Sequence, residues 1–353
     1  MSERKIRVAI VGVGGIAEHQ HIPAYKSNKN AEVVAIVDSN EKQLEKIRKK
    51  FKVEKTFATV DSLFDNMEID AMSVCTPPDT HAEIALKGLQ NGIHILCEKP
   101  MTTDILQGKR MVDVSRTNNR VLMVGFHRRF MLNYQKAKRQ ILTGRLGHVY
   151  CIEDNFTEPN PLYNYSKSTW FFKPGVGGVL LDIAPHLFDM FNYLFDDFPV
   201  AISAQGLTYL NHSVEDSCSF VLEYSRGRIG IGIASWLSCK FREYVNILGT
   251  AQNLQVSPNY FLLENSNEFH EISLLRAAGE SLVNMKFRNL PFFRARRANP
   301  YQLEIDHFIN CIRNKISSSA SALNGLSVLM TTDAARRSID EGCRVEIPSP
   351  EPQ

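Results

Sequence analysis

The sequence predicts an α/β unit with a doubly wound parallel sheet, followed by an α+β unit on an open, mostly antiparallel sheet flanked by helices. Three observations predict it. Short β-branched apolar runs alternate with helical stretches over the first third of the chain, as parallel strands with crossover helices do. From about Gly147 the apolar runs no longer alternate with helical stretches, as expected of a mostly antiparallel sheet. The length, 353 residues, suits two domains.

Composition narrows the function classes. The chain is 44% hydrophobic and 22% charged, the balance of ordinary globular domains. A net charge of +3 offers little attraction to nucleic acid or a membrane surface, so neither is expected as a partner. No stretch reaches the roughly 18 apolar residues of a bilayer span. The start, "MSERKIRVAIVGVGG", lacks the h-region and cleavage pattern of a secretory signal. Seven cysteines (75, 97, 151, 218, 239, 311 and 343) are scattered without a CxxC, several within apolar runs. Free thiols in a reducing, cytoplasmic setting are expected. No Cys/His group has zinc spacing, and His19 and His21 would face different sides of a helix, so no metal is expected.

"KIRVAIV" reads as a buried strand that runs into Gly12-x-Gly14-x-x-Ala17 and a helix. The first glycine permits a tight turn, the second lets backbone approach a pyrophosphate, and the third small residue allows close helix–strand packing. Free N–H groups at the helix start, around Gly15 and Ile16, suit phosphate. "AEVVAIV" is the second strand and ends in Asp38, roughly 20 residues on, where an acid accepts hydrogen bonds from adenosine ribose hydroxyls. Asp38 could instead cap the helix Glu41–Lys50. Ser39 and Asn40 follow, with no arginine for a 2′-phosphate, so NAD is favoured over NADP and Ser39 joins the cofactor loop.

The alternation continues through "AMSVC", the turn and helix of "TPPDTHAEIALKGLQNG", "IHILCEKP", a helix over about Asp104–Asn118, and "VLMVGF". Ligands of such sheets bind at the carboxyl ends of the strands. That rim carries Gly12–Ile16, Asp38, Thr76–Pro78, Glu98–Pro100 and His127–Arg128. Lys99 is either a solvated strand-end charge or a group placed to stabilise an alkoxide.

In the second half, "HVYCIEDNF", "VAISAQGLTYL", "EDSCSFVLEYS", "GRIGIGIASWL", "EYVNILGT" and "NLQVSP" read as strands, with "YSRGRI" a hairpin turn. "GGVLLDIAPHLFD" reads as a helix that carries Asp182 and His186 four residues apart, hence on one face. The pair is either a buried histidine satisfied by an acid or a general base oriented by a carboxylate. Asp189 either orients His186 or bonds locally. The stretch Met285–Tyr301 is basic and aromatic, either a surface charge run or an anion site for phosphate or carboxylate. "SSSASALNGL" reads as a link before a helix over Gly325–Glu341, and residues 346–353 as a disordered tail.

Six segments in this order resemble the glucose–fructose oxidoreductase / inositol dehydrogenase (Gfo/Idh/MocA) family: "GVGGIA", "TPPDTH", "EKP", "GFHRRF", "GGVLLDIAPH" and "NPYQLEIDHF". The resemblance covers nearly the whole chain. It implies a Rossmann NAD-binding domain over 1–125 and a substrate-binding and oligomerisation domain over 126–345. It implies that Lys99 contacts the substrate hydroxyl and nicotinamide region, often beside a cis Lys–Pro bond. Asp182 would bond substrate, and His186 would take the hydroxyl proton. Thr76, Pro77, Pro78, His81, Glu98 and Arg128 would line the cofactor cleft, with Trp170 by the nicotinamide. His127, which stands where many relatives have Asn, Trp170 and Tyr301 would contribute to the substrate pocket. Ala184–Pro185 departs from the commoner Gly-x and should alter the helix start. The implied activity is hydride transfer between NAD and a secondary hydroxyl of a sugar, nucleotide sugar or cyclitol, in a homodimer or homotetramer. Redox-neutral glycoside cleavage and NAD sensing also occur on this scaffold.

Overall fold

The computed structural model describes residues 4–161, 170–210, 213–265 and 299–351. It divides into two compact units, residues 1–127 with 301–329, and residues 128–300 with 330–353. Among the described residues of the first unit, β1 (Ile6–Val11), β2 (Ala31–Val37), β3 (Lys55–Phe57), β4 (Ala71–Val74), β5 (His94–Cys97) and β6 (Leu122–Val124) form one parallel sheet. Its order is β3-β2-β1-β4-β5-β6. The order reverses between β1 and β4, and that switch point is where such sheets bind ligands. The connecting helices are α1 (Ile22–Ser27), α2 (Glu41–Phe51), α3 (Val60–Asn66), α4 (His81–Gln90) and α5 (Ile105–Thr117). Asn40, Thr59 and Asp104 start α2, α3 and α5 by accepting the N–H of the residue three further on.

The second unit opens with α6 (Leu132–Leu142), β7 (Val149–Pro159), α7 (Val179–Asp182) and α8 (Ala184–Phe195). It continues with β8 (Ala201–Leu207), β9 (Ser217–Glu223), β10 (Ile229–Ser235), β11 (Leu237–Gly249), β12 (Gln252–Val256) and β13 (Phe261–Asn265). The chain ends with α9 (Pro300–Asn314), α10 (Ala322–Glu341) and β14 (Val345–Glu346). The described strands of this unit form one sheet in the order β13-β12-β11-β7-β10-β9-β8-β14. The pairings are antiparallel except β10 with β7. The turn from β9 to β10 places Arg226 (φ 61°) and Gly227 (φ 68°) in the left-handed region, as a type I′ hairpin requires.

The sequence "IGIGI" in β10 shows how α8 settles on the sheet. Gly230 and Gly232 alternate inward, where a Cβ would stand 3.0 Å from the Phe191 ring and 2.1 Å from the Phe220 ring. Phe188 packs on Phe220 with centroids 4.8 Å apart. The missing side chains leave room for this aromatic layer. Ile229, Ile231 and Ile233 point the other way and are about two-fifths exposed.

Three sequence readings change. Residues 301–329 belong with the first unit, not with the second. The serine-rich stretch is no free link: Val124 of edge strand β6 donates its N–H to Ala320 O at 2.9 Å, and Met123 bridges to Ser321. The tail is ordered at its start, because Glu346 pairs with Ala201 and the buried Ile347 donates to Val200 O at 2.9 Å. Among the described residues, no helix is long and apolar enough to cross a membrane. Cys75, Cys97, Cys151, Cys218 and Cys311 are buried free thiols, and Cys239 and Cys343 are exposed.

Candidate active site

The first unit builds a cradle at its switch point. Gly12 leaves β1 with φ +82°, and a Cβ on it would lie 2.7 Å from the Thr76 backbone nitrogen and 2.8 Å from Cys75 O. Only glycine fits a left-handed turn pressed so closely on the loop after β4. Gly14 and Gly15 are exposed, and a Cβ on either would meet nothing within 4 Å, so the backbone there is open to a ligand. Ile16 leads into a wide helical turn over Ala17–His21 that continues as α1.

Asp38 holds this loop. Its Oδ2 accepts the Val13 N–H at 2.9 Å and its Oδ1 accepts the Asn40 N–H at 2.8 Å. The helix cap of α2 is Asn40, so the capping alternative for Asp38 is not the one adopted. Asp38 stays half-buried, and Ser39 beside it is exposed. A glycine turn that excludes a Cβ, open glycines behind it and a half-exposed acid at the next strand end fit the diphosphate and ribose of a dinucleotide.

The neighbouring strand ends supply the rest of the rim. Thr76 is half-buried, Pro77 exposed and Pro78 buried. His81 does not line a cleft, being only 1% exposed. Its Nδ1 faces Pro100 O at 2.8 Å and its Nε2 faces Thr76 O at 2.7 Å, so it clamps the loops after β4 and β5 together. Burial holds its pKa below the usual imidazole value, against the pull of the two carbonyls. Lys99–Pro100 is a cis peptide, and Lys99 is half-buried. Glu98 turns inward, with Oε1 2.8 Å from His21 Nε2. Burial pushes the Glu98 carboxyl up, but His21, Lys99 and His127 outweigh it and hold the pKa below the ordinary value. His127 and Tyr301, read separately from the sequence, stack at 4.5 Å with rings 14° apart.

In the second unit the GGVLLDIAPH segment is helical with a break. Pro185 sits in the first turn of α8 and has no N–H to donate, and His186 N–H reaches back only to Ile183 O at 3.0 Å. Asp182, half-buried, accepts from Trp236 Nε1 at 3.4 Å. Trp170 stacks on Phe171 at 4.1 Å, and Phe171 meets Trp236 edge-on at 6.4 Å. His186 is 7% exposed, with its ring 5.9 Å from that of Phe156. Asp189 pairs with neither His186 nor a sequence neighbour: both its oxygens accept from Arg129, 60 residues away, at 2.6–3.0 Å.

Arg128 offers no free donor to a cofactor. It is 1% exposed and belongs to the second unit. Its five N–H groups go to Glu243 Oε1 (2.8 Å), both Asp154 oxygens (2.9 and 3.0 Å), Tyr134 Oη (3.3 Å) and His186 O (3.1 Å). No donor is left over. The strand-end position suggested a rim contact, and the buried carboxylates that claim the side chain lie far along the sequence. Arg128 instead pins the main chain of His186.

Sequence reasoning missed His21, Phe156 and Trp236. "HQHIPAY" did carry a signal, since His21 follows Ala17 by one helical turn on the packed face. The basic stretch Met285–Tyr301 lies outside the described residues up to position 298. Among the described residues, no group of three or more His, Cys, Asp or Glu could hold a metal.

Residues 6–126 match the oxidoreductase family with an NAD-binding Rossmann fold, and residues 134–255 match the GFO/IDH/MocA C-terminal domain. The chain is 28% identical to an inositol 2-dehydrogenase of Rhizobium meliloti over 97% of this chain and 99% of that one. It is 30% identical to an uncharacterized oxidoreductase of Schizosaccharomyces pombe over 69% and 68% of the two chains. Among solved structures, the WlbA dehydrogenase from Bordetella pertussis, in complex with NADH and UDP-GlcNAcA, superposes with a TM-score of 0.84. The identity there is 25%, and 99% of each chain is covered. With both halves of the chain matched and the glycine cradle in place, the chain belongs to the Gfo/Idh/MocA family of NAD-binding oxidoreductases.

Proposed function

We propose that this chain oxidises a secondary hydroxyl of a sugar, nucleotide sugar or cyclitol, with NAD as cofactor. The observation that carries the reading is the junction at the switch point, where Gly12 abuts the Thr76 backbone and Asp38 is tied to the same loop. Gly12, Gly14, Gly15, Ile16, Asp38 and Ser39 would hold the diphosphate and adenosine side of the dinucleotide. When bound, NAD supplies a ring that accepts hydride from the substrate carbon. His186 takes the hydroxyl proton, its main chain steadied by Arg128. Lys99 stabilises the developing alkoxide, and Asp182 hydrogen-bonds the substrate. His127 and Tyr301, as a stacked pair, and Trp170 contribute substrate-side surface.

The inositol 2-dehydrogenase and the UDP-GlcNAcA complex of the WlbA dehydrogenase support inositols and UDP-sugars as candidate substrates. NADH formation over a panel of inositols, free sugars, sugar acids and UDP-sugars separates them. Replacing His186 with Ala should slow turnover by roughly 10²–10⁴-fold. A near-normal rate in that variant removes His186 from the chemistry. Silence across the panel while NAD binds would favour the redox-neutral or sensing members of the family.

The outward face of the second sheet supports a homodimer or homotetramer. Ile229, Ile231 and Ile233, with Val221 paired to Ile231, expose an apolar stripe on a twisted sheet. The buried free thiols support a reducing, cytoplasmic setting.

A further inference from the structure

We infer that His21 is a positioning residue for Lys99, acting through Glu98. This rests on the reading of Lys99 given above. His21 is fully buried in the first unit, directly after the glycine loop. Its Nε2 lies 2.8 Å from Glu98 Oε1 and its Nδ1 lies 3.1 Å from Ser73 Oγ. Ser73 Oγ in turn lies 2.9 Å from Tyr25 Oη. The other Glu98 oxygen, Oε2, accepts the main-chain N–H of Lys99 at 3.2 Å.

One assignment of protons satisfies every member with a neutral imidazole. Tyr25 donates to Ser73, Ser73 donates to His21 Nδ1, and His21 Nε2–H donates to the Glu98 carboxylate. Burial pushes the Tyr25 hydroxyl far up, so it stays protonated and anchors the donor end of the chain. At the acceptor end the Glu98 carboxylate is fixed in one rotamer. A Cβ on Gly125 would stand 3.1 Å from that carboxylate, so the glycine leaves the room that the carboxylate occupies. The chain therefore orients a buried anion whose second oxygen holds the backbone from which the Lys99 side chain departs. Without His21, Oε1 has lost its imidazole donor and the carboxylate is free to turn away from Lys99.

The test does not depend on knowing the substrate. Lysines of the full-length protein are reductively methylated with ¹³C, and the Lys99 resonance is identified by its loss in Lys99→Arg. In His21→Ala that resonance should move. In His21→Gln it should return close to its original position, because an amide offers one donor and one acceptor at nearly the imidazole spacing. A resonance unmoved by His21→Ala overturns the inference, and so does one that moves in both variants together with a collapse of the thermal transition. With the fastest sugar of the panel, His21→Ala should lower kcat by about 10–100-fold while the NAD Kd stays within about twofold, and His21→Gln should recover most of it. A Lys99→Met variant with full turnover instead removes the catalytic reading of Lys99, and the resonance still reports whether His21 positions it.

Discussion

Replacing Arg128 with Met should damage the second unit without touching cofactor binding. Arg128 sits among Asp154, Glu243 and Tyr134, all buried, and spends every N–H on them and on His186 O. Removing one partner from a buried ion cluster costs about 3–5 kcal/mol, because the remaining charges keep their desolvation cost and lose their counter-ion. The pH dependence gives this loss a signature. Burial pushes Asp154 up from its ordinary 3.8, against the pull of Arg128, to about 6. The folded unit therefore binds a proton more tightly than the unfolded chain does. That contribution to stability is fully present below pH 3.8 and fades as the pH rises through about 6; it amounts to about 3 kcal/mol. Without the guanidinium, the Asp154 pKa rises further. The gap between variant and parent should then widen by up to about 1.4 kcal/mol per pH unit above 6, until the new pKa is passed.

The assay is convenient, because both tryptophans of the chain, Trp170 and Trp236, lie in the second unit. Urea unfolding followed by tryptophan fluorescence thus reads that unit, and titration with NAD reads the first. A loss of about 3–5 kcal/mol at pH 8 that shrinks clearly at pH 5, with the NAD Kd unchanged, is the expected result. A loss below about 1 kcal/mol, or one that is flat with pH, would refute the cluster argument. Tenfold weaker NAD binding with stability intact would return Arg128 to the cofactor rim.

Three other perturbations test other parts of the molecule. Gly14→Ala should leave the thermal transition in place and weaken NAD by at least about tenfold, since the added methyl meets only the open side of the loop where a pyrophosphate would approach; unchanged NAD affinity removes the phosphate role of this loop. Gly12→Ala should instead lower the transition itself, because φ +82° costs about 1–2 kcal/mol for a non-glycine residue and the Cβ meets the Thr76 backbone. Ile231→Lys should shift the protein toward monomer in light scattering while each unit keeps its fold, and an unchanged mass would show that subunits do not meet on the outward face of β10.

The first sheet was legible because its signals are local. Each strand from β1 to β6, except the three-residue β3, is a short apolar run followed by a turn or helix signal, and the glycine loop and Asp38 sit at fixed offsets from them. The second sheet was legible where residues alternate, as in β9 and β10. It was not legible at β13 and β14, which are short and owe their existence to a partner strand. The errors in the site have one physical origin. Arg128 lies just past β6, where sequence logic places ligand contacts, and His81 opens α4, where only the family resemblance puts it at the cleft. Their nearest acceptors are remote in sequence or are plain carbonyls: Asp154 and Glu243 for the one, Thr76 O and Pro100 O for the other. A residue type at a rim position reveals its chemistry but not which neighbour has already claimed it.

That competition also explains how the two candidate catalytic groups are held. Arg128 and Arg129 are consecutive, yet they reach acceptors one turn apart on α8, at His186 O and the Asp189 carboxylate. They grip the helix on both sides of its first turn, where Pro185 has removed a rung of the hydrogen-bond ladder. Lys99 is treated in the same manner, with Glu98 held by His21 on one side and Pro100 O held by His81 on the other. In each unit the residue assigned to chemistry is half-buried or nearly buried, and the charged or imidazole groups around it are more deeply buried still. Buried ionic groups are a poor means of gaining stability, since apolar residues of equal volume often do as well. Their concentration at these two points, and at the backbone rather than the tip of the acting residue, is better explained as fixing direction than as strengthening the fold.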